Sequence, residues 1–116
     1  MRKSKYYLTP AGKHLAQTIR ARVLSSIAVP HESWDGKWRI VCFDIPEIRR
    51  DQRDFWRAFL KHSCFKKYQD SVWVSPYNVL NEVVLAAKEA GLSKYLRTII
   101  ATNIDDSDLF KRLFDL

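Results

Sequence analysis

Trp34-Asp35-Gly36-Lys37-Trp38-Arg39-Ile40-Val41-Cys42-Phe43-Asp44-Ile45-Pro46-Glu47 is the stretch that fixes how the rest of the chain is read. Asp35-Gly36 is a turn signal, and Lys37 to Ile45 then runs as a strand with almost no polar positions. Alternation puts Trp38, Ile40 and Cys42 on one side and Arg39, Val41 and Phe43 on the other. Large apolar residues on both sides predict a central strand covered on both faces. Pro46 suits the opening turn of a helix, where its missing N–H costs nothing. The spacing predicts that helix over residues 46–62. Ile48, Phe55, Phe59 and Gln52 would turn inward, and Arg49, Arg53, Arg57 and Lys61 would step by four along a neighbouring side.

Downstream, Phe65 to Gln69 and Val72 to Ser75 read as two short strands joined at Asp70-Ser71, a hairpin. Asn78 is the expected N-cap of a helix running through Ala90, with Val79, Val83 and Ala86 or Ala87 inside and Gly91 as the C-terminal cap. Tyr95 to Thr102 is β-branched enough for a fourth strand. Asp105-Asp106-Ser107 then starts a short last helix with Leu109, Phe110, Leu113 and Phe114 apolar. Upstream, Tyr6-Tyr7-Leu8 is strand-like, and Thr9-Pro10 opens a helix striped by Leu15, Ile19, Val23 and Ile27. The body therefore reads βαββαβ. This is an α+β, ferredoxin-like order, a four-stranded antiparallel sheet with two helices on one face, plus an N-terminal helix and a short C-terminal helix. Its second sheet face is left to a partner or a terminal helix. Apolar residues there predict a homodimer formed through sheet surfaces.

Length and charge narrow the function. At 116 residues the chain suits one domain with its own core. A net charge of +7 asks for an acidic partner. Nucleic acid is the expected one, since no signal peptide and no bilayer-length apolar run is visible. A cytoplasmic location and no membrane contact are expected on the same grounds. Cys42 and Cys64 lack C-x-x-C spacing, so reduced, buried thiols are expected rather than a disulfide framework or a zinc site. His14, His31 and His62 are scattered, and three glycines cannot build a phosphate loop.

Phe43-Asp44-Ile45-Pro46-Glu47, the arginines after it, and Ser71-Val72-Trp73-Val74-Ser75-Pro76 together resemble the central domain of the PaaX-type (phenylacetate catabolon) transcriptional repressors. The lead-in Trp34 to Arg39 strengthens the resemblance, which spans about residues 34–102. The same core looks like the second CRISPR-associated (Cas) protein, a small ferredoxin-like dimer. Tyr7-Leu8-Thr9-Pro10-Ala11-Gly12-Lys13 resembles the end of a winged-helix DNA-binding domain, as found ahead of the central domain in the repressors. Residues 1–30 are therefore expected to be a strand and helix of that kind, and residues 34–116 the ferredoxin-like domain with its C-terminal helix. The winged-helix reader itself and the repressors' C-terminal domain have no counterpart here, which makes the chain either a fragment or a reduced relative.

The two resemblances assign different work to the same residues. The repressor resemblance implies a dimerising module of a transcriptional regulator, with Arg49, Arg50, Arg53, Arg57 and Lys61 as candidate nucleic-acid contacts. Four-residue steps on a helix suit a phosphate backbone, which positions a protein without specifying sequence. The CRISPR-associated resemblance implies a magnesium-dependent endonuclease, or a spacer-integration scaffold. Asp44 would be its one catalytic residue and metal ligand, acting across a dimer axis. No cofactor other than that magnesium is expected. Against the metal role, Asp44-Ile45-Pro46-Glu47 has the D-x-x-E spacing of a capping box, so Asp44 could simply start the helix.

Overall fold

The structure is a computed structural model that describes Pro10, Lys13, His14, residues 16–19, Ala21 and residues 34–116. Strand β1 is Trp38–Phe43, followed by a 3-10 turn at Glu47–Arg49 and helix α1 at Arg50–His62. Strands β2 (Lys66–Gln69) and β3 (Val72–Ser75) form the expected hairpin. Helix α2 is Leu80–Glu89, strand β4 is Leu96–Ala101 after a 3-10 turn at Ser93–Tyr95, and helix α3 is Ser107–Leu113. The sheet order is β2-β3-β1-β4 and every neighbouring pair is antiparallel. This is the ferredoxin-like arrangement, with the apolar β1 in the interior as its composition requires.

Alternation along β1 separates two cores. Val41 and Phe43 face the helices, with Trp56, Phe59 and Leu60 from α1 and Val83, Ala86 and Ala87 from α2. Trp73 of β3 and Leu96 of β4 lie on the same face. The expected N-terminal strand at Tyr6-Tyr7-Leu8 falls outside the described residues, as do Leu15, Val23 and Ile27. The described residues between Pro10 and Ala21 are all helical, and Ala16 and Ile19 are buried in this first core.

Trp38 and Ile40 point the other way, into a second core with Val74 and Phe110. Cys42 is half-buried at its edge. Helix α3 is the lid of this core. The Phe110 ring lies 6.5 Å from Trp38 and 5.4 Å from Tyr68, centroid to centroid. The Phe114 ring meets Trp38 at 6.3 Å and Tyr77 at 5.9 Å. The Tyr68 hydroxyl donates to the Asp105 carbonyl at 2.9 Å, which ties the lead-in of α3 to β2. The sheet face expected to stand open is thus closed by the chain's own helix. Both faces of β1 are buried without a second subunit. Leu109 and Leu113, counted as apolar in the sequence pattern, lie on the outer side of α3.

Helices α1, α2 and α3 end in the same way. Gly91, with φ of +73°, follows α2, and the Leu92 N–H reaches back to the Ala87 carbonyl at 2.8 Å while the Gly91 N–H reaches Lys88 at 3.1 Å. This is a Schellman motif, and it bears out Gly91 as the cap. Cys64 (φ +68°) after α1 and Asp115 (φ +60°) after α3 hold the corresponding left-handed position. The equivalent back-bonds run from Phe65 to Leu60 and from Leu116 to Lys111. Helix starts depart more from expectation. Asn78 does not hold the N-cap of α2: Val79 does, and its side chain makes no capping bond. Ile48, expected inside, is 91% exposed. It belongs to the 3-10 turn, whose tighter winding carries it out of phase with the buried side of α1.

Candidate nucleic-acid interface

The C-terminal end of β1, the start of α1 and the start of β4 meet at one end of the sheet. The Asp44 N–H donates to the Tyr95 carbonyl at 2.9 Å, and the Asp44 side chain is exposed. Pro46 then sets the course of the backbone. The residue before a proline is kept from helical geometry, so Ile45 stays extended, and its side chain is buried at 4% exposure. Pro46 is itself extended (ψ 155°) and holds the N-cap position of the 3-10 turn, with no side-chain cap. Asp44 is therefore two residues too early to cap, and the expected capping box with Glu47 does not form.

Glu47 instead faces forward. Its carboxylate lies 3.1 Å from Arg53 Nη2 and 3.5 Å from Arg50 Nη1. As for a metal, Asp44 would have to find further oxygen ligands, and among the described residues no three Asp, Glu, His or Cys side chains converge. Magnesium takes one or two carboxylates and keeps several waters, and in the metal reading the second carboxylate is Asp44 of a second copy.

The five basic candidates divide by burial. Arg49, Arg50 and Lys61 are exposed. Arg53 and Arg57 are half-buried, and the Nε of each is enclosed without a hydrogen-bond partner. The row on α1 is therefore not one continuous comb. Its outward charge is concentrated at the helix start, with Lys61 at the far end.

At the start, Arg49 donates to Gln52 Oε1 at 2.8 Å, a neutral partner, and its guanidinium stands 5.7 Å from the centre of the Tyr95 ring. Lys94 Nζ stands 5.3 Å from the same ring. One aromatic ring thus gathers two cations, which the electron-rich face of tyrosine stabilises. Arg97, exposed on β4, comes two residues later. Lys94, Tyr95 and Arg97 are not among the residues that sequence reasoning selects. Their signal is the basic and aromatic alternation of Ser93-Lys94-Tyr95-Leu96-Arg97, submerged in a segment whose composition speaks mainly for a strand. A shallow depression of about 630 Å³ lies beside them, lined by Glu47, Ile48, Arg49, Arg50, Asp51 and Gln52. It is a dent in a charged surface and carries no catalytic grouping.

A second charged feature lies at the opposite end of β1. Arg39 is on the helix side of the strand with its side chain 4% exposed. It is clamped in the turn before it: Nη1 donates to Asp35 Oδ1 at 2.9 Å and Nη2 to Asp35 Oδ2 at 2.6 Å. Nη1 also reaches the carbonyls of Pro76 at 2.9 Å and Lys37 at 3.0 Å. The bond from the Arg39 guanidinium holds the Asp35 carboxyl below its usual value, with the Lys37 N–H helping and partial burial opposing. This arginine is structural. It joins the turn before β1 to the loop after β3.

Sheet order and helix placement define a ferredoxin-like α+β domain, and its charged end presents a surface rather than a cleft. Comparison with family models makes the assignment specific: residues 31–111 match the PaaX protein central Cas2-like domain. The chain belongs to the PaaX family, as its sequence motifs implied. No curated protein and no solved structure matches it. No helix among the described residues is long and apolar enough to cross a membrane.

Proposed function

We propose that this chain is the dimerising module of a PaaX-like transcriptional repressor, and that it lies against DNA through the basic surface where α1 and β4 begin. The observation that carries the contact is the cluster of Arg49 and Lys94 on the Tyr95 ring. Cations held over a ring rather than by carboxylates keep their charge available to phosphate. The chain's +7 net charge supports the same polarity of partner. Such contacts hold a duplex without reading it, so sequence choice belongs to another part of the regulator.

The test is fluorescence anisotropy of a labelled duplex titrated with the chain at several salt concentrations. Binding that weakens steeply as salt rises, with little difference between unrelated sequences, is the expected result. No binding even at low ionic strength sinks the proposal.

A further inference from the structure

Among the described residues, Ile48 is the large apolar side chain most fully in water, at 91% exposure; Ile100 at 58% and Leu113 at 50% come next, each partly covered on a strand or helix face. The backbone on either side of Ile48 is pinned. Ile45 is buried in the first core, and the extended Pro46 leads from it into the 3-10 turn. The Arg49 N–H donates to the Pro46 carbonyl at 2.8 Å and closes the turn around Ile48. Arg49 is held further by Gln52 and the Tyr95 ring, and the Glu47 carboxylate is taken up by Arg53 and Arg50. A branched Cβ leaves the Ile48 side chain few rotamers. The result is a stiff apolar tip on a fixed turn, and its exposure gains nothing within the chain.

We propose that Ile48 is a wedge: the turn at Glu47–Arg49 enters the minor groove of a DNA duplex, and Ile48 presses between two stacked base pairs. This rests on the reading of the surface around Tyr95 as a DNA contact and adds what that contact does to the duplex. Charge selects the partner. Ile48 is followed directly by Arg49 and Arg50, and the Arg49 guanidinium shares the Tyr95 ring with Lys94. A phosphate backbone fits that setting and an apolar protein groove does not. An aliphatic tip among cations is the composition with which minor-groove proteins part base steps, the lost stacking being offset by closer contact with the bent duplex. A side chain fixed beforehand loses little freedom on insertion. The wedge reads no base edges. It favours steps that unstack easily, which adds a preference for deformable sites to a surface that otherwise follows phosphates.

Two otherwise identical short duplexes, one fully paired and one with a central mismatch, test this by anisotropy titration with the whole chain at low salt. Wild type is expected to bind the mismatched duplex about tenfold tighter, because a mismatched step unstacks at lower cost. Ile48→Ala should bring the two affinities together, and Ile48→Leu, which keeps the apolar bulk, should keep the gap. Ile48 lies outside both cores, so neither variant should alter the circular dichroism or Tm. The slope of log affinity against log salt should be the same in all three, since no cation is removed. Dyes on the two ends of the duplex should report a shorter end-to-end distance with wild type than with Ile48→Ala. Equal affinity of wild type for the two duplexes, a gap that persists in Ile48→Ala, or an unbent duplex overturns the wedge, returns Ile48 to a protein partner and leaves the phosphate contact standing. A wild type that binds neither duplex overturns the contact and the wedge together.

Discussion

Arg39 is the residue whose role is least visible from its neighbours in sequence. An arginine in the middle of an apolar strand reads as an exposed position, yet here it is enclosed, with its two Nη atoms bonded to Asp35 and two carbonyls and its Nε buried without a partner. Removing the carboxylate leaves a buried cation with only neutral acceptors. Asp35→Asn is therefore expected to lower the unfolding free energy by about 2 kcal/mol, less than for a fully buried pair because Asp35 is 45% exposed. Chemical denaturation at neutral pH measures it. The pH dependence has a definite sign. The folded-state value of Asp35 is depressed, so its contribution is complete above the unfolded value of 3.8 and disappears as pH falls through the folded value. The wild type should lose stability in that acid window, and Asp35→Asn should show a flatter acid limb. Cys64 offers a second test at this scale. It holds a left-handed backbone that only glycine adopts without penalty, and its side chain packs partly against the core. Cys64→Gly and Cys64→Ala both lose the thiol, so their difference isolates the backbone: glycine should be more stable by about 1 kcal/mol in thermal or urea unfolding.

Among the elements, the strands are almost fully legible in the sequence and the helix starts are not. Apolar alternation in Trp38–Phe43 and the Asp70-Ser71 turn have one physical solution each, and both strands of the hairpin fall where expected. Pro46 is readable as a helix opener, but it acts on the residue before it as well. Holding Ile45 extended moves the cap away from Asp44, and the 3-10 turn then rotates Ile48 outward. The same turn splits the arginine row of α1, since a four-residue step assumes α-helical winding throughout. The candidate site is legible as a set of cations and illegible as a geometry, because Tyr95 and Lys94 come from a distant segment. This division makes a quantitative expectation. If phosphate contact is made by the outward cations, Arg49→Gln and Arg50→Gln should each flatten the plot of log affinity against log salt by about 0.9, the increment for one lost contact. Arg53→Gln, which removes the more buried of the two arginines on Glu47, should change that slope little. Anisotropy titrations across a salt series distinguish the two groups.

For the molecule as a whole, the decisive feature is α3 over the second core. The apolar face of β1 that suggested a dimer through sheet surfaces is consumed within one chain, by Phe110 and Phe114 against Trp38. A last helix with a few apolar residues can be seen in sequence. Which face it seats on cannot, because either side of β1 offers the same kind of surface. Phe110→Ala should cost about 3 kcal/mol, since the ring fills the space between Trp38 and Tyr68. Thermal unfolding gives the cost, and a red shift of tryptophan emission before the main transition would report Trp38 meeting water as α3 lifts.

The bond from Tyr68 to the Asp105 carbonyl and the seat of Phe110 share a consequence for biosynthesis. Every strand of the sheet is made before α3, so a nascent chain can assemble the sheet while Trp38, Ile40 and Val74 still lack their cover. A translation product truncated just after Ala101 keeps every strand and loses the cover, and such products should be the ones that chaperones retain.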